Sequence, residues 1–198
     1  MVSTIMKVKE AVSRYKTSKK MFTYQDYLDM PDDGKRYEVI NGELIMPPAP
    51  YTIHQKISLK LEYELLKFND KEKRGELFHA PFDVVMSDMN VVQPDILFVK
   101  IENLDIITDK NIEGAPDMII EILSPSSGNY DRISKKEMYA RFGVKEYWIV
   151  DPEKQWIEIY LNKANEFELK QRLDKKGEAK SHVLQGFQVA LKDIFIFD

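Results

Sequence analysis

Apolar and polar residues change their spacing several times along this chain, and each change marks an element. Thr23 is a fair N-cap, and Tyr24 to Met30 reads as a short helix stopped by Pro31. Tyr37 to Ile40 and Leu44 to Met46 are β-prone runs flanking Asn41-Gly42-Glu43, a pattern that predicts a hairpin. Ile53, Ile57, Leu61, Leu65 and Phe68 share one helix face, which predicts a helix over residues 52–69. Strand candidates follow at 77–79, at 82–86 and along Val91 to Val99, a run broken by Pro94. Met118 to Leu123 is nearly continuously apolar, as expected of a strand covered on both faces. Residues 131–142 read as a helix closed by Gly143, and Glu146 to Val150 as another buried strand ended by Asp151-Pro152. Trp156 to Leu161 and Phe167 to Arg172 predict a hairpin across residues 163–165. Ile157, Ile159 and Leu161 would form its single buried face.

Strands dominate the middle, and one helix crosses back to a buried strand. The expectation is a mixed α/β fold, with a central mixed β-sheet flanked by helices and preceded by an N-terminal helix and hairpin. Residues 1–20 stand apart. Six Lys and Arg there read either as a short amphipathic or frayed extension or as a basic arm for nucleic acid. Residues 21–198 are expected to form one domain.

Composition narrows the chemistry. With 43% hydrophobic residues in 198, the chain can build a core. Having no Cys, it has no disulfide, no thiolate zinc site and no Cys nucleophile. No apolar stretch approaches the roughly 20 residues of a membrane span, and no signal-peptide h-region is visible, so a soluble cytoplasmic protein is expected. A net charge of −4 excludes bulk polyanion binding; any nucleic-acid contact needs a local patch or a metal.

Two carboxylates stand in apolar runs. A buried Glu121 must be protonated, paired with a cation or bound to a metal. Asp95 presents the same problem, and on a neighbouring strand it can lie about 5 Å from Glu121. Asp117 shares the Glu121 face but sits about 13 Å along the strand, so it reads as a strand-start residue. Two converging carboxylates suit Mg²⁺ or Mn²⁺, with water and a backbone carbonyl completing the shell. On the following helix Asp131, Lys135 and Tyr139 stack at intervals of four, so Lys135 can face the pair. Lys136, about 100° round the helix, is its competitor. An exposed Asp–Lys pair is the simpler account of that helix.

At this point the chain resembles a known family. Residues 37–44 (Tyr-Glu-Val-Ile-Asn-Gly-Glu-Leu), Pro50, His54, Gln93-Pro94-Asp95, residues 116–126, the Asp131/Lys135/Tyr139 helix and residues 143–152 are together similar to the Uma2 family, also called DUF820. The resemblance spans roughly residues 21–160. It implies a restriction-endonuclease-like core of the PD-(D/E)xK superfamily, in which an Asp, a Glu and a Lys carry the metal site. Asp95 and Glu121 match the first two. Leu123 stands where Glu-x-Lys would place the Lys, so the Lys role moves to Lys135 on the next helix. The resemblance further implies the Ile122 backbone carbonyl as a metal ligand, with Glu38 and His54 as accessory positions. For Glu38 the plainer role is an ion pair with Arg36 or Lys35; for His54 it is hydrogen-bonded packing.

The resemblance thus implies a Mg²⁺-dependent endonuclease acting on nucleic acid, DNA in particular, as a homodimer. The alternative is an inactive nuclease-like domain kept as a binding or assembly module. The loops at 113–116, 124–128 and 129–130 are expected near the C-terminal end of the Glu121 strand, where the second would form a lip over substrate.

Overall fold

The computed structural model describes residues 20–31, 33–124 and 129–195, with side chains left aside at 129–132. Of the extension expected at residues 1–20 and the lip expected at 124–128, all but Lys20 and Ser124 lies outside the described residues, and residues 129–130, expected as a loop, open a helix instead. Among those described, the main sheet has six strands. In spatial order these are β11 (Glu166–Asp174), β10 (Trp156–Lys163), β9 (Glu146–Asp151), β8 (Met118–Ile122), β6 (Ile96–Lys100) and β3 (Gly75–His79). Within this sheet only β8 and β9 run parallel, and helix α3 (Asn129–Phe142) makes the long crossover that a parallel pair needs. A second sheet joins β2 (Glu43–Ile45), β1 (Glu38–Ile40), β5 (Asn90–Val92), β4 (Val84–Ser87) and β7 (Ile112–Glu113).

The strand periodicity sorts the main sheet's side chains onto two cores. Phe98, Ile120, Trp148 and Val150 face helix α2 (Thr52–Glu72), through Ile57, Leu61 and Leu65, and the C-terminal segment, through Leu184, Phe187 and Leu191. Leu97, Ile119, Tyr147 and Ile149 face the other way, onto α3 through Met138 and Tyr139 and onto the second sheet through Ile40, Val84 and Val92. β8 is therefore covered on both faces, as its apolar run predicts. The Thr23-capped helix α1 (Tyr24–Leu28) comes first, and Asn41 and Gly42 then adopt positive φ of 52° and 75°, the turn that closes the predicted hairpin β1–β2.

Three further expectations need correction. Val91 to Val99 is not one strand: β5 and β6 belong to different sheets. Pro94, which has no N–H for a ladder, sits at the corner between them. Asp95 is consequently a corner residue rather than a strand residue. Strand β10 is buried on both faces from Trp156 to Tyr160, because Glu158 and Tyr160 lie on the α3 side. The buried Glu158 is paired with Arg172 at 2.5 Å and accepts the Tyr160 hydroxyl at 2.7 Å. Finally, residues 113–116 lead from β7 into the N-terminal end of β8, the end remote from Glu121.

Candidate active site

Glu121 and Asp95 meet because of register. Ile96 faces Ile120 across antiparallel strands, so Asp95, one residue before β6, falls beside Glu121. Glu121 shares the parity of Ile119 and turns toward α3, while Asp95, at the corner, lies within reach of His54 on α2. Extending the register sets Pro94 opposite Ile122. The Ile122 N–H therefore goes to Asp95 Oδ2, at 2.8 Å, and Pro94 has no N–H to return to the Ile122 carbonyl. The Pro-Asp pair thus orients one carboxylate and leaves a main-chain acceptor without its ladder partner.

Lys135 enters from α3. Its Nζ donates to Glu121 Oε1 at 3.1 Å and to Glu38 Oε1 at 3.0 Å. Lys135, Glu121 and Asp95 keep only 12%, 13% and 13% of side-chain exposure, and Glu38 3%. The Tyr139 hydroxyl, one helical turn on, donates to the same Glu121 oxygen at 2.6 Å. Glu38 also accepts the Gln93 backbone N–H at 2.9 Å. His54, at the start of α2, holds Asp95 Oδ2 through Nε2 at 3.1 Å, while its buried Nδ1 has no partner among the described residues. All these groups except Tyr139 line one cleft of about 90 Å³, closed on one side by Pro47, Pro48 and Pro50. At roughly 10–15 Å³ per water, it has room for several waters or a hydrated ion.

The protonation tendencies share one sign. Burial pushes Glu121 up, Asp95 and Glu38 add to it, and Lys135 offsets them only in part, leaving it at about 7. Burial disfavours the Lys135 cation, yet Glu121 and Glu38 outweigh it and raise Lys135 above its ordinary value. His54 is likewise raised, its burial overcome by the hydrogen bond and charge of Asp95. Glu121, Lys135 and His54 each hold a proton more tightly than usual, and the three carboxylates of Glu121, Glu38 and Asp95 outnumber the two cationic partners, Lys135 and His54, that bond them.

Asp95, Glu121, Ile122, Lys135, Glu38 and His54, all proposed from sequence, are brought together here. The Glu38 pairing is different from the plainer expectation: its partner is Lys135, not Arg36 or Lys35, and Lys35 pairs with Asp33 instead. Lys136 points away, over the Tyr160 ring at 3.5 Å. Asp131 has its side chain outside the described residues. Asp117 is an anchor at the far end of β8, bonded to Lys145, Asn103 and the Lys100 N–H. Tyr139, which reads as core, also bonds the site; its spacing of four from Lys135 carries that signal. The Arg36 and Gln93 side chains, which also line the cleft, were not distinguishable from surface polar residues in sequence.

A buried acidic pair at a sheet corner with a lysine from the crossover helix defines a class of site, and comparison with known proteins gives the family. The Uma2 family model, described as "Putative restriction endonuclease", matches residues 24–192. The chain belongs to the Uma2 family. Its fold is similar to that of a protein from Anabaena variabilis ATCC 29413, described as "a putative nuclease belonging to DUF820". The TM-score is 0.73 at 21% identity, covering 88% of this chain and 97% of that one. No functionally curated protein matches the chain. No helix among the described residues is long and apolar enough to cross a membrane.

The donor set can be tested against a divalent cation. No three His, Asp or Glu side chains among the described residues are grouped to hold a metal by themselves. Mg²⁺ is commonly held by one or two carboxylates, keeping several waters. Asp95 Oδ1 and Glu121 Oε2 take no hydrogen bond from described residues, and the Ile122 carbonyl has lost its ladder partner. Two hard oxygens, a carbonyl, space for water and unneutralised negative charge fit Mg²⁺ or Mn²⁺.

Proposed function

We propose that this protein is a Mg²⁺-dependent endonuclease whose active site is the Asp95–Glu121–Lys135 cleft. The observation that carries the reading is the convergence of two carboxylates, a main-chain carbonyl and one lysine in a solvent-connected cleft. Membership of the Uma2 family supports nucleic acid as substrate. Asp95, Glu121 and the Ile122 carbonyl would hold the ion, which when bound lowers the pKa of its water and polarises a phosphoryl oxygen. Lys135, kept protonated by its acidic neighbours, donates to the attacking water or to a phosphate oxygen and steadies negative charge. Glu38 and Tyr139 hold Lys135 and Glu121 in place. His54 fixes the Asp95 carboxylate from behind. The reading extends to DNA as substrate and to a homodimer as the form that cuts a duplex.

A second reading has one observation in its favour: Lys135 bonds both Glu121 and Glu38, which a structural ion pair in an inactive binding module would also do. Crystals soaked in Mn²⁺, read by anomalous scattering, separate the two, alongside cleavage assays on DNA and RNA. A peak about 2.2 Å from Asp95 and Glu121 oxygens, with cleavage lost in Asp95→Asn, is the expected result. No peak and no cleavage of any nucleic acid would transfer the site to the inactive module.

A further inference from the structure

A second cavity, of about 450 Å³ and broadly open to solvent, adjoins the cleft, and Arg36 and Gln93 line both. Tyr27, Tyr37, Met30 and Pro81 give it aromatic and apolar surface, with Lys35 beside them and a polar junction with the cleft. That volume falls within the roughly 300–1,000 Å³ range of small-molecule sites.

Arg36 lies two residues before Glu38, just ahead of β1, and both line the cleft. Arg36 is half-buried, yet its guanidinium makes no ion pair or hydrogen bond with any described residue. It is close enough to His54 to disfavour the charged imidazole. A planar donor fork beside a phosphodiesterase cleft is matched in geometry to a phosphate oxygen pair.

Gln93 is held in one orientation. Its Nε2 donates to Asp83 Oδ1 at 2.8 Å and to the Tyr27 hydroxyl at 3.3 Å, and Tyr27 itself donates to Asp83 at 2.7 Å. Flipping the amide would set its oxygen against the Asp83 carboxylate. Oε1 therefore stays on the opposite side, buried and without a hydrogen-bond partner among the described residues. The backbone N–H of the same residue is bonded to Glu38, which ties this acceptor rigidly to the acidic cluster.

Resting on the nuclease reading, we propose that Arg36 and Gln93 form a subsite for the nucleotide next to the bond being cut. Arg36 binds its phosphate, Gln93 Oε1 accepts a hydrogen bond from an amino or imino group of its base, and the base lies unstacked in the Tyr27–Tyr37 cavity. Aromatic walls hold bases with little regard to sequence, whereas one fixed acceptor adds preference among them.

The test is fluorescence anisotropy of short labelled DNA single strands over a salt series, with Ca²⁺ replacing Mg²⁺, beside Mg²⁺ cleavage assays of the same proteins. Arg36→Met is expected to weaken binding about tenfold. It should also reduce the slope of log K against log salt by about 0.7, the share of one phosphate contact. Arg36→Lys should keep the slope and recover part of the affinity. Gln93→Leu should leave the slope unchanged and narrow the affinity differences among strands that differ in one base. Lys163→Met, on the far hairpin, should change none of these, and melting temperatures report whether each variant is folded. If wild type binds and cuts while folded Arg36→Met keeps its slope and affinity, the subsite is wrong and the nuclease reading stands. If wild type neither binds nor cuts, both fall together.

Discussion

Glu121→Gln separates a metal ligand from a structural ion-pair partner, and the structure gives the size of the effect. The Glu121 carboxyl rises from its ordinary 4.5 to about 7 on folding, chiefly through burial, with Asp95 and Glu38 adding to it. A raised acid binds more protons in the folded state, so its contribution is undiminished below the ordinary value. It is lost progressively as pH rises through the folded one. Each tenfold change in proton affinity is worth about 1.4 kcal/mol, so the loss between about pH 5 and pH 8 is on the order of 2–3 kcal/mol. Gln mimics the protonated acid and can still accept from Tyr139, while Lys135 retains Glu38. Urea unfolding in chelator-containing buffer should therefore show the variant gaining on wild type by roughly 2–3 kcal/mol over that pH range, and losing Mn²⁺ binding. The opposite result, a variant about 3–5 kcal/mol less stable at pH 8, would make Glu121 half of an essential ion pair and refute the charge-excess argument.

Other expectations follow from the same contacts. Lys135→Met leaves Glu38 and Glu121 without their shared cation. It should cost about 3–5 kcal/mol in metal-free buffer, with part restored by Mn²⁺, measured by urea unfolding with and without the ion. Asp117→Ala strands the Asn103 amide and the Lys100 N–H at the far end of β8, at about 1–3 kcal/mol, while Mn²⁺ affinity stays at the wild-type level in calorimetry. Burial alone would raise Asp117, but Lys145, Asn103 and the Lys100 N–H lower it on balance. Its stabilisation is thus full above the ordinary 3.8 and lost as pH falls through the depressed value. Glu146→Leu removes the acceptor of Trp148 Nε1 and of the His182 and Val183 amides. Hydrogen exchange at those two amides should accelerate sharply, with a stability loss of roughly 3 kcal/mol or more.

Much of this molecule is written in local sequence. The β1–β2 hairpin, the inner face of α2, the doubly buried β8 and the crossover helix α3 follow from Asn-Gly, from helical spacing and from an unbroken apolar run. Those signals act between residues a few positions apart. The chemistry of the site was also legible, because a carboxylate inside Met-Ile-Ile-Glu-Ile-Leu needs a partner wherever that strand is placed. What the chain could not state alone is which partners arrive from a distance. Lys135 reaches Glu38 across 97 positions, His54 reaches Asp95 across 41, and Gln93 meets Tyr27 across 66. Those encounters depend on how two sheets and three helices pack, which no local periodicity encodes. The same holds for β10, whose Ile157-Glu158-Ile159-Tyr160 alternation signals one buried face. Burial of the second face was decided by α3 and by Arg172 on β11, whose charge makes a buried Glu158 tolerable. Periodicity thus selects the elements and flags the residues that need partners, and only the tertiary packing assigns those partners and sets the charge balance of the site.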